Sequence, residues 1–344
     1  MSEQEIPVRR RRARRFLPVV AVFLALGGAL VAPGTAFAGT GSYHCGTLVY
    51  GAIEDKYVAL SAENGPLGCP TNQESDANRG GRWQAFRNGY IFWHPNLGAH
   101  AVYGLIGVKW TQMGRENSVL GYPVTDESGT PDGVGRYNHF EYGGSIYWTP
   151  STGAHAIYGL IRQRWASQGW ENGVEGYPTT DELSSGDTRY NNFQHGTITW
   201  TAAAGTQVQI KLHFRYSPSP NLSGTADLTL FQNGGYVFSG SYSTLSLFPI
   251  QGSFAVLIKS ATGNGYAFDH KGSVNDLPFI GHPTESWNNQ GNSPALAADW
   301  SFIENGMRWA WTAKETLDIG GIISGLKNAV AGVNTIIAIV GALS

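Results

Sequence analysis

The sequence predicts an α+β chain that is mostly β: three tandem helix-plus-β-hairpin repeats, then an antiparallel β domain, then a C-terminal apolar helix. Three observations carry this reading. The chain has 344 residues, of which 12% are aromatic and only 14% charged, with 46 Gly and 16 Pro. Many aromatics among many turn residues describe short elements joined by tight turns, not disorder and not a coiled coil. The first half repeats itself at spacings of 53 and 55 residues. The second half alternates apolar and polar residues between Asn-Gly-type turns.

Residues 9–15 form a basic cluster, residues 16–32 run apolar without charge, and Ala36-Phe37-Ala38 offers a small-x-small cleavage site. This three-part pattern predicts a secretory signal over residues 1–38. The alternative is a membrane anchor, but 17 apolar residues are short for a span, and Pro18, Gly27 and Gly28 interrupt them. Arg14-Arg15-Phe16-Leu17 leaves both the general secretory and the twin-arginine routes open. Without residues 1–38, with their six Arg and two Glu, the chain carries a net charge of −6. An acidic surface repels phosphate backbones, so nucleic acid is excluded as the expected partner. Cys45 and Cys69 are the only two cysteines. In an oxidising compartment they predict a disulfide closing a loop of about 25 residues, worth about 3 kcal/mol. Free thiols or a redox pair are the alternative; two cysteines at this spacing make neither a thioredoxin motif nor a zinc site.

The repeats align on Tyr50, Tyr103 and Tyr158. Each tyrosine is followed by Gly51, Gly104 or Gly159 and, at +3, by Ile53, Ile106 or Ile161. Tyr57, Trp110 and Trp165 sit at +7. Glu-Asn recurs at +13, Gly68, Gly121 and Gly176 at +18, Pro70, Pro123 and Pro178 at +20, and Glu74, Glu127 and Glu182 at +24. Apolar residues at +3 and +7 suit one face of a short helix, such as residues 105–112. A Gly-Tyr-Pro turn and a hairpin follow, for example 136–140 with 145–149. One such unit cannot bury its apolar face alone, so the copies stack in series. The units span about 47–99, 100–154 and 155–205, within a region 39–205. Gly-Ala-His-Ala at 98–101 and 153–156 becomes Gly205-Thr206-Gln207-Val208 in the third copy, which places the domain boundary there.

Leu67-Gly68-Cys69-Pro70, Leu120-Gly121-Tyr122-Pro123 and Glu175-Gly176-Tyr177-Pro178, at this period and with these flanking motifs, resemble the LGFP repeat. The resemblance implies an exported actinobacterial protein associated with the cell envelope, whose repeats bind wall polysaccharide. In the family the repeats also occur appended to mycolyltransferase or hydrolase domains. Two residues depart from the pattern: Cys69 stands for the aromatic in copy one, and Glu175 for leucine in copy three.

A neutral sugar needs an aromatic face for its C–H side and a few polar groups for its hydroxyls. Candidates are Trp93, Trp148 and Trp200 near the end of a hairpin strand, with His100, His155, Tyr122, Tyr177, Asp126 and Asp181. The plainer readings are that the tryptophans pack the core, the histidines bond a backbone carbonyl, and the aspartates hold a turn. Asp126-Glu127 and Asp181-Glu182 raise glycosidase chemistry, but adjacent residues rarely point into one cleft. No nucleophile elbow, zinc-protease motif or P-loop occurs, so neither a catalytic residue nor a cofactor or metal is expected.

Residues 206–316 read as an antiparallel sandwich or barrel. A lead strand spans 208–216. Hairpins are expected at 227–231 with 236–242, 254–259 with 266–270, and 300–303 with 307–312. Residues 276–298, with His282, Glu285 and Trp287, read as a long loop. Residues 317–343 read as one helix with a stripe of Ile319, Ile322, Ile323, Leu326, Val330, Val333, Ile337 and Val340. That helix packs on the β domain or a protein partner, or meets a membrane. The expected function is non-enzymatic: an exported, wall-associated protein that holds polysaccharide and supports wall integrity. One alternative is a secreted envelope hydrolase using the repeats for targeting. The other is a membrane-active or assembly factor acting through residues 317–344.

Overall fold

The computed structural model describes residues 41–219, 222–244, 250–274, 284–315 and 319–340. The expected export signal and His282 lie outside the described residues. The fold is β-rich, with six helices and several antiparallel sheets among these residues.

Each repeat opens with a helix: Gly51–Ala59, Gly104–Met113 and Gly159–Ser167. The +3 and +7 residues of each helix are sealed in the core, with Trp110 and Trp165 at 0% exposure. The +7 ring also ties the helix to the Gly-x-Pro turn that follows. Tyr57 Oη donates to the Gly68 carbonyl at 2.8 Å, Trp110 Nε1 to Gly121 at 3.2 Å, and Trp165 Nε1 to Gly176 at 3.1 Å. Those three glycines hold φ of 67°, 75° and 72°, a region glycine enters without a Cβ penalty. The proline two residues on bridges to Phe86, Phe140 or Phe193, which starts the sheet. In the first two repeats a four-stranded antiparallel sheet follows, ending on Gly98–Tyr103 and Gly153–Ile157.

Consecutive repeats are bolted through buried polar groups. Asn138 Nδ2 donates to Ala101 O of the preceding sheet at 3.1 Å and to its own Thr125 O at 2.8 Å. Asn191 repeats this with Ala156 O at 3.1 Å and Thr180 O at 3.0 Å. In the first repeat Gln84 does the same work on Leu48 O at 3.0 Å and Asn72 O at 2.9 Å. Leu48 lies in a small hairpin, Ser42–His44 with Thr47–Val49, which therefore takes the place of a preceding repeat's last strand. The Gly-Tyr-Pro tyrosines reach backward as well. Tyr122 Oη bonds the Asn78 carbonyl, and Tyr177 Oη bonds Thr130 Oγ1 at 2.8 Å and Asp132 Oδ1 at 2.7 Å. The first repeat has no earlier repeat to reach, and here the position is Cys69, disulfide-bonded to Cys45 of the capping hairpin. The family-departing cysteine thus replaces an inter-repeat hydrogen bond with a covalent one.

The third repeat does not end in a linker. Its last strand, Gly205–Ser219, pairs through residues 205–210 with Gly196–Thr201 and then continues against Leu222–Phe231. One seven-stranded sheet therefore joins the third repeat to the C-terminal half, across the position where the repeat motif fades. A second sheet, in the order Arg308–Lys314, Ile250–Lys259, Asn264–Val274, Thr335–Val340, faces it. Phe214, Phe238, Phe254, Phe268 and Trp287 fill the space between. Arg164 of the third repeat's helix adds an ion pair, its Nη2 donating to both carboxyl oxygens of Glu304 at 2.9 and 2.7 Å.

Three expectations for this half are corrected. Residues 300–304 form a helix, not a hairpin strand, because Trp300 Nε1 donates to Glu304 at 2.6 Å, one helical turn away. The expected loop 276–298 contains a strand, Thr284–Asn292, and a short helix, Pro294–Ala298. That strand is polar except for inward Trp287, so it carries almost no hydrophobic alternation. The expected single C-terminal helix is only Ile319–Ala329; the chain turns at Gly332 (φ 80°) and Thr335–Val340 adds a parallel strand beside Asn264–Val274. The β-branched run Thr335-Ile336-Ile337 favours a pleated surface over a helix. Among the described residues no helix is long and apolar enough to cross a membrane.

Glu175 occupies the position of fully buried Leu67 and Leu120, is itself 0% exposed, and has no hydrogen-bond partner for either carboxyl oxygen. Burial, reinforced by nearby Glu304, pushes this carboxyl up to about 7. A raised carboxyl keeps its proton on folding, so the chain loses stability as pH rises from the ordinary carboxylate range through 7. Glu175→Leu is expected to stabilise the protein in urea unfolding. The gain should be larger at pH 8 than at pH 4 by about 3 kcal/mol.

Candidate functional site

The cross-strand register of each hairpin sets an arginine directly opposite a tryptophan: Arg82 with Trp93, Arg136 with Trp148, Arg189 with Trp200. Residues so paired share one face of the sheet. On its other side each tryptophan faces a small residue, Ala99, Ala154 or Thr206. All three tryptophans are half-buried.

The start of the repeat helix closes the other wall. Tyr103, Gly104, Leu105, Ile106, Glu127, Arg136 and Trp148 line an open cleft of about 350 Å³. Tyr158, Gly159, Leu160, Ile161, Glu182, Arg189 and Trp200 line its counterpart of about 440 Å³ in the next repeat. The two linings match position for position. Leu105 and Leu160 stay about half exposed at the rim, at 56% and 50%. Arg136 Nε donates to Glu127 Oε1, and its Nη2 to Tyr103 Oη at 3.0 Å. In the first repeat Arg82 makes the same ion pair with Glu74 and reaches Tyr50 Oη at 3.4 Å. Burial pushes the Glu127 carboxyl up against the pull of Arg136, and the Glu182 carboxyl up against its bond from Tyr158. Each cleft thus presents a tryptophan, an apolar wall and an arginine, which in the second repeat is ion-paired to Glu127. Stacking on an aromatic ring and hydrogen bonds from a few polar groups are the interactions that polyhydroxylated rings use in general, and this lining offers both kinds of group.

The other sequence candidates are engaged elsewhere. Tyr122 and Tyr177 are 1% and 4% exposed between repeats, so they join copies instead of meeting a ligand. Asp126 accepts Ala101 N–H at 3.0 Å and Lys56 Nζ at 2.6 Å; Asp181 accepts Ala156 N–H at 2.9 Å and Lys109 Nζ at 2.8 Å. Burial alone would raise Asp126, but bonds from His100, Lys56 and Ala101 outweigh it and bring it to about 2; Asp181 is lowered in the same way. His100 and His155 bond the carbonyls of Leu97 and Thr152 at 2.9 and 2.7 Å, with their other nitrogens toward these aspartates. The aspartates and histidines therefore clamp one repeat to the next. The arginines were missed in the sequence, although each stands four residues before Phe86, Phe140 or Phe193, a spacing as regular as any quoted above.

The fold and these clefts define a class: a short tandem array offering the same cleft in successive copies, fused to a β sandwich. The family model of the LGFP repeat matches residues 67–118, 120–173 and 176–211, so the chain carries three LGFP repeats. The third match ends inside the strand Gly205–Ser219, where a helix would open a fourth unit. No curated protein matches the chain.

The half-buried cleft tryptophans differ from the sealed ones. Trp148→Ala and Trp200→Ala are each expected to cost about 1 kcal/mol in chemical unfolding. Trp110→Ala and Trp165→Ala are expected to cost about 3–5 kcal/mol.

Proposed function

We propose that the protein is an exported, non-enzymatic component of an actinobacterial cell envelope whose LGFP repeats bind wall polysaccharide through the Tyr–Glu–Arg–Trp clefts. The observation that supports this most is the recurrence of the Arg–Trp cross-strand pair at the same register in all three hairpins. Core packing does not require a half-exposed tryptophan beside an arginine in every copy. The Arg82–Glu74 and Arg136–Glu127 ion pairs, and the Glu182 carboxyl near Arg189, leave little net charge at these sites, which suits a neutral sugar better than an anion. Repetition adds avidity, so individually weak sites serve a polymeric ligand. Export is supported by the charged, apolar and small-residue order of residues 1–38.

The test is co-sedimentation of residues 39–344 with insoluble actinobacterial wall, before and after polysaccharide is stripped from the peptidoglycan. Binding should vanish with the polysaccharide. It should also fall at least tenfold in the Trp148→Ala, Trp200→Ala double variant, with an unchanged circular dichroism spectrum. Equal binding to stripped wall, or by the double variant, would contradict the proposal.

A further inference from the structure

The strand Asn264–Val274 turns Tyr266 and Phe268 into the sandwich and Ala267 and Asp269 to the outer face. Directly opposite Asp269 stands Ala255, and beyond Ala255 stands Thr312. Ala255, Leu257 and Ala267 pack in one cluster with Ile322, Leu326, Val330 and Val333 of the C-terminal segment. Asp269 therefore shares the face that the helix Ile319–Ala329 covers. It is 1% exposed, and neither carboxyl oxygen has a hydrogen-bond partner. A buried carboxyl of this kind is tolerated while it holds a proton and becomes costly when charged.

We infer that residues 319–340 form a strap that loosens from the outer sheet when Asp269, sealed on the face beneath it, loses its proton. Burial pushes Asp269 up to about 7, and Lys271 only partly opposes it. Among the described residues no other charge is placed to rescue the ionised form. Lys271 and Lys314 are exposed, in the next row of the same face, and Lys259 sits at the far end, bonded to Ala331 O at 2.9 Å. On the helix the one charged residue is exposed Lys327, and Thr335–Val340 carries none. The helix itself is weak, with Gly320, Gly321 and Gly325 in its 11 residues, glycine being the poorest helix former after proline. Apolar packing, one edge-strand pairing and the bonds from Lys259 Nζ to Ala331 O and from Asn334 N–H to Gly263 O hold the strap, and the packing over Asp269 is what a charge on the covered face opposes. The sign follows from linkage: the carboxyl's folded-state value lies above its unfolded one, so protection is fullest in acid and falls as pH rises through 7.

The test is amide hydrogen exchange on the full chain at pH 5.5 and pH 8.5, corrected for intrinsic rates. Protection over residues 319–340 should fall on the order of tenfold or more at the higher pH, because a carboxyl held well above its ordinary value disfavours the closed strap at least that strongly once ionised. Protection over Leu222–Phe231 should fall less. Asp269→Asn and Asp269→Leu should each flatten the dependence of the strap. Equal protection of the strap at both pH values in the wild type would overturn the inference. So would the same fall in both variants, which would assign the effect to another group.

Discussion

Everything in the repeat region depends on one kind of bond: a buried side-chain amide reaching the last strand of the repeat before it. Gln84, Asn138 and Asn191 are each 0% exposed, and each spends its N–H groups on two backbone carbonyls, one from either side of the joint. A buried amide without those partners is expensive, so a repeat is satisfied only when a strand stands in front of it. That requirement explains both ends of the array. At the start, the hairpin Ser42–Val49 supplies a substitute strand and the Cys45–Cys69 disulfide holds it there. At the finish, the last strand of the third repeat is not left as an edge but runs on into the sandwich.

The same joint positions the clefts. The strand that receives the amide, Gly98–Tyr103 or Gly153–Ile157, leads directly through Tyr103 or Tyr158 into the next helix. The tyrosine and the helix start form one wall of the cleft, and the hairpin of the same repeat forms the other. Cleft geometry is thus set by coupling between copies and not by any copy alone. The third repeat and the sandwich share one continuous sheet, so the C-terminal half is joined to the array by strand pairing and not by a linker alone.

Much of this was legible in the sequence where one residue type recurs for one physical reason. The glycine at +18 needs a positive φ, the aromatic at +7 fills the core, and both recur without exception. The cleft tryptophans were legible for the same reason. Their arginine partners were passed over because charged residues on a sheet surface usually carry no message. Tyr122, Tyr177, Asp126 and Asp181 recur just as regularly, yet they serve the joint; periodicity reports that a residue matters, not which neighbour it meets. The C-terminal half misled where tertiary packing outweighed local pattern. Thr284–Asn292 is a strand with one inward aromatic. Residues 317–343 read as a single apolar helix because the stripe at helical spacing continues through Gly332, beyond which the backbone becomes the strand Thr335–Val340.

The central claim is that serial clefts act together on one polymer. The direct measurement is the affinity of residues 39–344 for purified wall polysaccharide as Trp93, Trp148 and Trp200 are replaced by alanine singly, in pairs and together. The account predicts a stepwise loss, steeper with each tryptophan removed, while the circular dichroism spectrum stays that of the folded protein. An unchanged affinity in the triple variant would contradict it.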